Sequence, residues 1–345
     1  MEPWNRRRFL ATFAGAGLAA IGAASGADRE AALLTRGVVL VPGDLTLADW
    51  PARVAAAGLT TIGIHHPNSP KAVAEWIRTD PGQRFLEACR TARVAVEYEL
   101  HAMRELLPRS LFEKDPQLFR MDDKGQRLPD ANCCVHSQSA LDIIASNAAS
   151  MARDLRPTTG RYFYWGDDGL PWCSCPKCSE LSPSEQSLLI SNSILRALRR
   201  DAPDAKLAHL AYDNTMQAPR KVKPDKGVFL EFAPIHRKYD VAYTQQQAPA
   251  DVDRIEALDA NLEVFSKDDA QVLEYWLDVS RFSGWKLPAV KLPWNREVFR
   301  SDVAAYRARG IRHITSFAVW IDADYRKRFG ELDFLNEYGA GLVGA

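Results

Sequence analysis

Residues Tyr162 to Cys178 read Y-F-Y-W-G-D-D-G-L-P-W-C-S-C-P-K-C. An aromatic, strand-like run stops at two adjacent carboxylates, Asp167 and Asp168, and a glycine follows. A carboxylate presented where a strand meets a turn can give or take a proton in a reaction. Three cysteines come next, spaced C-x-C-x-x-C, which brings their sulfurs close together. Cys173, Cys175 and Cys178, with Cys133 or Cys134, would supply four thiolates to a structural Zn2+. Two disulfides are the rival, natural to an exported chain. Cys89 stands alone in a helical stretch. Either pairing would pin the loop after Trp165 to the one carrying Cys133 and brace a site there.

Other ionisable residues fall at places where they are costly unless paired or used. Glu97, Glu99 and His101 alternate along V-A-V-E-Y-E-L-H and so share one face. His65 and His66 close T-T-I-G-I-H-H, and Glu231 sits inside V-F-L-E-F-A, followed by His236 and Arg237. Each also has a structural explanation: a hydrogen-bond network for the glutamates, a loop cap for the histidines, and a buried ion pair for Glu231. Large aromatics lie near the same chain positions: Trp165, Trp172, Tyr212, Trp294 and Trp320, with Lys291 beside them. Sugar rings have apolar faces that stack on such rings, and hydroxyls that need charged partners. Cleavage of a glycosidic bond needs one carboxyl group to protonate the leaving oxygen and a second to act as base or nucleophile. The expected set is Asp168 against Glu231, with Asp167 and Glu99 as further candidates. His65, His101, Trp165, Tyr212, Arg237, Lys291, Trp294 and Trp320 would bind the substrate.

The elements that must position these residues alternate. Strand-like runs are expected at 37–42, 60–65, 94–101, 162–165, 207–212, 228–233, 289–292 and 313–320. Helical patterns fall at 48–57, 70–93 with a break at Asp80-Pro81-Gly82, 183–200, 270–283, 296–308 and 332–338. Eight strands alternating with helices predict an α/β fold, a closed (β/α)8 TIM barrel over residues 36–345. Active sites on such barrels lie at the C-terminal ends of the strands. The long stretch from Arg104 to Pro129, between strands 3 and 4, is expected to lie over that mouth.

Several of these segments resemble a bacterial domain of unknown function. They are Glu99-Leu100-His101, Leu106-Leu107-Pro108, Pro116-Gln117-Leu118-Phe119-Arg120 and Gly125-Gln126-Arg127, continuing through Asp167-Asp168, the C-x-C-x-x-C run and Pro183-Ser184-Glu185. Leu210-Ala211-Tyr212 and Pro234-Ile235-His236-Arg237 complete the set. That family resembles TIM-barrel glycoside hydrolases of the alpha-glucuronidase and beta-hexosaminidase type. The resemblance implies a catalytic acid after strand 4, at Asp167 or Asp168. A beta-hexosaminidase carries Asp-Glu there and the alpha-glucuronidase acid is a glutamate, whereas this chain has Asp-Asp.

The chain has 345 residues, with 44 basic residues balancing 44 acidic ones. No basic stripe points to nucleic acid. Asn5-Arg6-Arg7-Arg8-Phe9-Leu10, an apolar Gly/Ala-rich run and Ser25-Gly26-Ala27 match a twin-arginine export signal over residues 1–27. Export by that machinery to the periplasm or beyond is expected, with no stable membrane span after cleavage. No Gly-rich phosphate loop, H-E-x-x-H or G-x-S-x-G is present. The sequence therefore favours an exported glycoside hydrolase with a carbohydrate substrate and no catalytic cofactor. The alternatives are a carbohydrate-binding barrel without activity, or metal-dependent chemistry at the cysteines.

Overall fold

The computed structural model describes residues 32–66, 69–247 and 253–344. The expected export signal lies outside the described residues. From Leu33 onward the chain is one compact unit. Eight strands form it: β1 Thr35–Leu40, β2 Thr61–His66, β3 Ala95–His101, β4 Arg161–Trp165, β5 Lys206–Ala211, β6 Val228–Phe232, β7 Gln271–Glu274 and β8 His313–Phe317. They run parallel, each beside the next, and β8 closes on β1 with Thr35 opposite His313. The fold is a (β/α)8 TIM barrel. Among the described residues, no helix is long and apolar enough to cross a membrane.

Local sequence explains the surrounding helices. The helix Pro183–Leu198 starts at Ser182, whose hydroxyl accepts the Glu185 amide while the Glu185 carboxylate accepts the Ser182 amide; proline fills the first turn. Asp80–Ala92 starts at Thr79 and ends at Arg93, which takes the left-handed conformation at φ 56°. Gly82 is required there, because a Cβ would sit 2.3 Å from the Trp76 carbonyl oxygen.

One strand was misplaced by sequence pattern. Residues 289–292 form a loop, and the seventh strand is Gln271–Glu274, inside the stretch expected to be helical. Gln271 faces polar groups inside the barrel, while Glu274 points to the other face and meets Arg237 and Tyr306, so the run lacks a continuous apolar signature. Only Val279–Phe282 of that stretch is helical. The long β3–β4 connection contains, besides its loop, a helix Gln138–Asp154 that the pattern did not suggest.

The barrel interior is unusually rich in carboxyl groups. Glu97, Glu99 and Glu231 are all fully buried. Arg161 lies among them, its guanidinium 3.9 Å above the Phe229 ring and bonded to Gln271 Oε1 at 3.0 Å. Thr159 donates to Glu97 Oε1 at 2.7 Å. Gln271 Nε2 and Trp165 Nε1 donate to the two oxygens of Glu231, at 3.2 and 2.8 Å. Glu99 has neither oxygen partnered within the protein. Gly63 makes room for it, since a Cβ there would lie 2.5 Å from Glu99 Oε1. Burial pushes Glu231 up to about 8 and Glu99 well above the usual carboxylate range, the latter reinforced by the neighbouring Glu231.

Candidate active site

The C-terminal ends of the strands open into a cavity of about 460 Å³, within the ~300–1,000 Å³ usual for small-molecule sites. Its walls include His65 from β2, His101 from β3, Trp165 and Asp168 from β4 and its loop, Tyr212 after β5, Tyr275 and Asp278 after β7, and Trp320 after β8.

The two neighbouring aspartates divide. Asp168 lines the cavity with a side chain 53% exposed. Tyr212 Oη donates to its Oδ1 at 2.9 Å, and His101 Nε2 faces the same oxygen at 3.8 Å. Asp167 turns the other way and is 5% exposed. It accepts from Arg109 Nη2 at 2.5 Å and from the Asn132 amide at 2.7 Å, both in the long β3–β4 connection. Asn132 returns the bond, its Oδ1 accepting the Asp167 amide at 2.9 Å. Asp167 therefore ties two loops together while Asp168 faces the opening.

Two of the three histidines that line the cavity, His65 and His101, have fixed tautomers. His101 Nδ1 lies 2.7 Å from the Gly166 carbonyl and His65 Nδ1 2.7 Å from that of Glu99. A carbonyl only accepts, so both Nδ1 atoms carry hydrogen. Burial, with His101 nearby, pushes His65 down to about 3, leaving it neutral.

A second carboxylate shares the cavity. Asp278 follows β7 and caps the short helix Val279–Phe282, its Oδ1 accepting from Ser280 Oγ at 2.5 Å and from the Arg281 amide at 3.2 Å. Burial raises its pKa. Sequence pattern missed Asp278 because the strand before it was read as helix. It missed Trp285 as well, which is 64% exposed at the rim and lines the cavity. Trp285 and Trp320 hold φ of 54° and 67°, a conformation costing a bulky residue about 1–3 kcal/mol. Trp320 is held there by its amide, which donates to the buried Asp44 at 2.8 Å.

Other expected site residues lie elsewhere. Glu231 is beneath the floor, covered by Trp165 and absent from the cavity wall; Glu99 is likewise fully buried and absent from it. Arg237 is fully buried between Glu274 (2.8 Å) and Asp302 (2.5 Å), a structural ion network. Lys291 and Trp294 belong to the loop that replaced the expected seventh strand. Lys291 is exposed, and Trp294 donates to Glu337 at 2.7 Å while packing against Phe299.

The sulfur cluster includes Cys134 and not Cys133. Sγ atoms of Cys134, Cys173, Cys175 and Cys178 all lie within 4.8 Å of one another, and all four residues are buried. Consecutive side chains diverge, so only one of Cys133 and Cys134 can face the cluster. The Cys134 sulfur is 3.9 Å from that of Cys175 and 3.8 Å from that of Cys178, far beyond the ~2.05 Å of a disulfide. None of these cysteines lines the cavity.

The sequence of residues 71–283 matches the profile of a family described as Domain of unknown function (DUF4838). The chain belongs to that family. No curated protein matches it in sequence. Among solved structures, this DUF4838 barrel is similar to a cold-adapted beta-galactosidase from Rahnella sp. R3, with TM-score 0.57 and 13% identity over 90% of this chain and 56% of that one. It is similar also to a tri-modular GH5 endo-beta-1,4-glucanase from Bacillus licheniformis, with TM-score 0.52 and 11% identity over 92% and 60%. A glycoside hydrolase family 20 beta-N-acetylglucosaminidase gives TM-score 0.50 and 10% identity over 89% and 69%. The chain thus spans little more than half the length of the first two. At these identities the likeness is one of fold, a glycoside hydrolase-like barrel.

Proposed function

We propose that this DUF4838 barrel is an exported enzyme that cleaves a glycosidic bond, using Asp168 and Asp278. The observation that carries this is the pair of carboxylates, one after β4 and one after β7, entering a single aromatic-walled cavity at the barrel mouth. Their surroundings differ in the sense two-carboxylate chemistry needs. Asp278 is buried and its pKa raised, which suits a group that holds a proton for the leaving oxygen. Asp168 is half exposed and accepts from the Tyr212 hydroxyl, which suits an anion acting as base or nucleophile. This reverses the role given to Asp168 by sequence resemblance and replaces Glu231, which lies below the floor. Trp285 and Trp320 supply faces for sugar rings. The sulfur cluster takes no part in bond cleavage, because it lies outside the cavity. Twin-arginine export to the periplasm or beyond belongs to the same proposal, resting on the Arg6-Arg7-Arg8 segment.

A panel of polysaccharides and aryl glycosides, assayed for reducing-sugar or aglycone release, tests the proposal. Asp168→Asn and Asp278→Asn should each abolish turnover of whichever substrate the wild type cleaves, with the fold intact by circular dichroism. Normal hydrolysis by both variants sinks it. One observation favours a second reading, a carbohydrate-binding barrel without activity: Asp278 already serves as a helix cap. Glycan binding by the wild type with no product from any substrate would establish that reading.

A further inference from the structure

We propose that Cys134, Cys173, Cys175 and Cys178 bind one Zn2+ as four thiolates, and that the ion locks the loop carrying Asp168 to the β3–β4 connection beside it. Tetrahedral zinc with Zn–S bonds of about 2.3 Å places its sulfurs about 3.8 Å apart. The sulfurs of Cys134 and Cys178 are 3.8 Å apart, those of Cys134 and Cys175 3.9 Å, and all four lie within 4.8 Å of one another. Four buried thiols converging at this spacing match a closed structural site, with no position left for substrate.

The surroundings suit a metal bound by thiolates. Four thiolates on a divalent ion leave two negative charges. The Arg127 guanidinium lies 3.7 Å from the Cys173 sulfur, and the Met121 amide donates to that sulfur at 3.3 Å. Outer contacts of this kind orient the ligands and offset their charge. Gln186 holds the ligand loop from behind. Its Oε1 accepts the Cys173 amide at 3.1 Å, and its Nε2 donates to the carbonyls of Cys173 and Cys178 at 3.1 and 3.2 Å.

The position of the cluster gives it a task. Cys134 belongs to the β3–β4 connection, and the other three ligands belong to the loop after β4. The same two loops meet again at Asn132, which exchanges bonds with Asp167 and donates to the Pro171 carbonyl at 2.9 Å. Asn132 is two residues from Cys134, and Pro171 two residues from Cys173. The junction is thus closed at one end by Asn132 and at the other by the metal, and Asp168 projects from it into the cavity. The ion is a positioning element for Asp168 and never meets substrate.

The experiment uses the full chain, purified without added metal or chelator. Plasma mass spectrometry should find one zinc per chain, and intact mass under denaturing conditions should show no disulfide. Cys134→Ser should lose the zinc and Cys133→Ser should keep it. Should Cys134→Ser not fold, the wild type still decides the matter: titration with an organomercurial should release zinc in step with thiol modification. Limited proteolysis after that release should cut first within residues 104–134 or 166–182. Iron at unit stoichiometry in place of zinc, two disulfides, metal-free thiols, or zinc retained by Cys134→Ser would each overturn the assignment.

Discussion

Glu231→Gln should make the protein less stable in acid and more stable near neutrality. The carboxyl group is fully buried and its pKa lies at about 8, against an ordinary value of 4.5. A group raised in this way gives its full stabilisation below the unfolded pKa and loses it as pH rises through the folded one. Ionisation of the unfolded chain therefore costs the wild type about 3 kcal/mol at pH 7 but under 1 kcal/mol at about pH 5. Glutamine escapes that penalty. It can still accept from Trp165 Nε1, but its amide then meets Gln271 Nε2, which donates to Glu231 in the wild type. That mismatch costs about 1 kcal/mol. The variant should be about 1 kcal/mol less stable than wild type near pH 4, equal near pH 5, and about 2 kcal/mol more stable at pH 7. Urea denaturation followed by tryptophan fluorescence at about one-unit pH intervals measures the difference. Subtracting the wild-type curve removes the carboxyl groups that do not interact with Glu231, and Glu99→Gln in both backgrounds removes the one that it reinforces. A difference that stays constant from about pH 4 to pH 7 refutes a raised pKa at Glu231.

Asp167→Ala should destabilise by about 3–5 kcal/mol, because it strands the Arg109 guanidinium, itself 17% exposed, without its partner; denaturation at neutral pH reads this directly. Gly63→Ala should cost about 1–3 kcal/mol through the clash with Glu99 Oε1, and Glu99→Ala should relieve part of it, a coupling that a double-mutant cycle exposes. Trp285→Ala should weaken binding of an oligosaccharide by roughly tenfold while leaving thermal stability unchanged, since the ring is mostly exposed; calorimetry and a melting curve separate the two effects.

Most of the architecture was legible because alternating short apolar runs and amphipathic helices leave few other ways to bury both faces of a parallel sheet. Seven of the eight strands fall where pattern places them. β7 does not, since Gln271 and Glu274 interrupt its apolar character and mimic one face of a helix. That one error moved the expected seventh-strand residues to Lys291 and Trp294 and hid Asp278. A second ambiguity lies in neighbouring residues. Asp167 and Asp168, like Cys133 and Cys134, have side chains that diverge, and which one enters a site depends on loop geometry that composition does not encode. Depth is the third obstacle. Glu231 is a polar residue on a barrel strand, but nothing in V-F-L-E-F-A says whether it reaches the mouth or stops beneath Trp165.

The junction between the loops after β3 and β4 also bears on the order in which the protein assembles. Asp167 meets Asn132 across 35 residues of chain and Arg109 across 58, whereas Thr35 and His313, which join the last strand to the first, are 278 apart. Loop-closure entropy makes the shorter links cheaper by about 1–2 kcal/mol. The junction that carries Asp168 is therefore expected to gather while the barrel is still an open ribbon, with the union of β1 and β8 as the late event. Pulse-labelled hydrogen exchange would show it as protection of the Asn132 amide ahead of that of Ala318, which bonds across the closing seam to the Val39 carbonyl. On that schedule the protein sets the support of Asp168 before it has a finished scaffold to carry it.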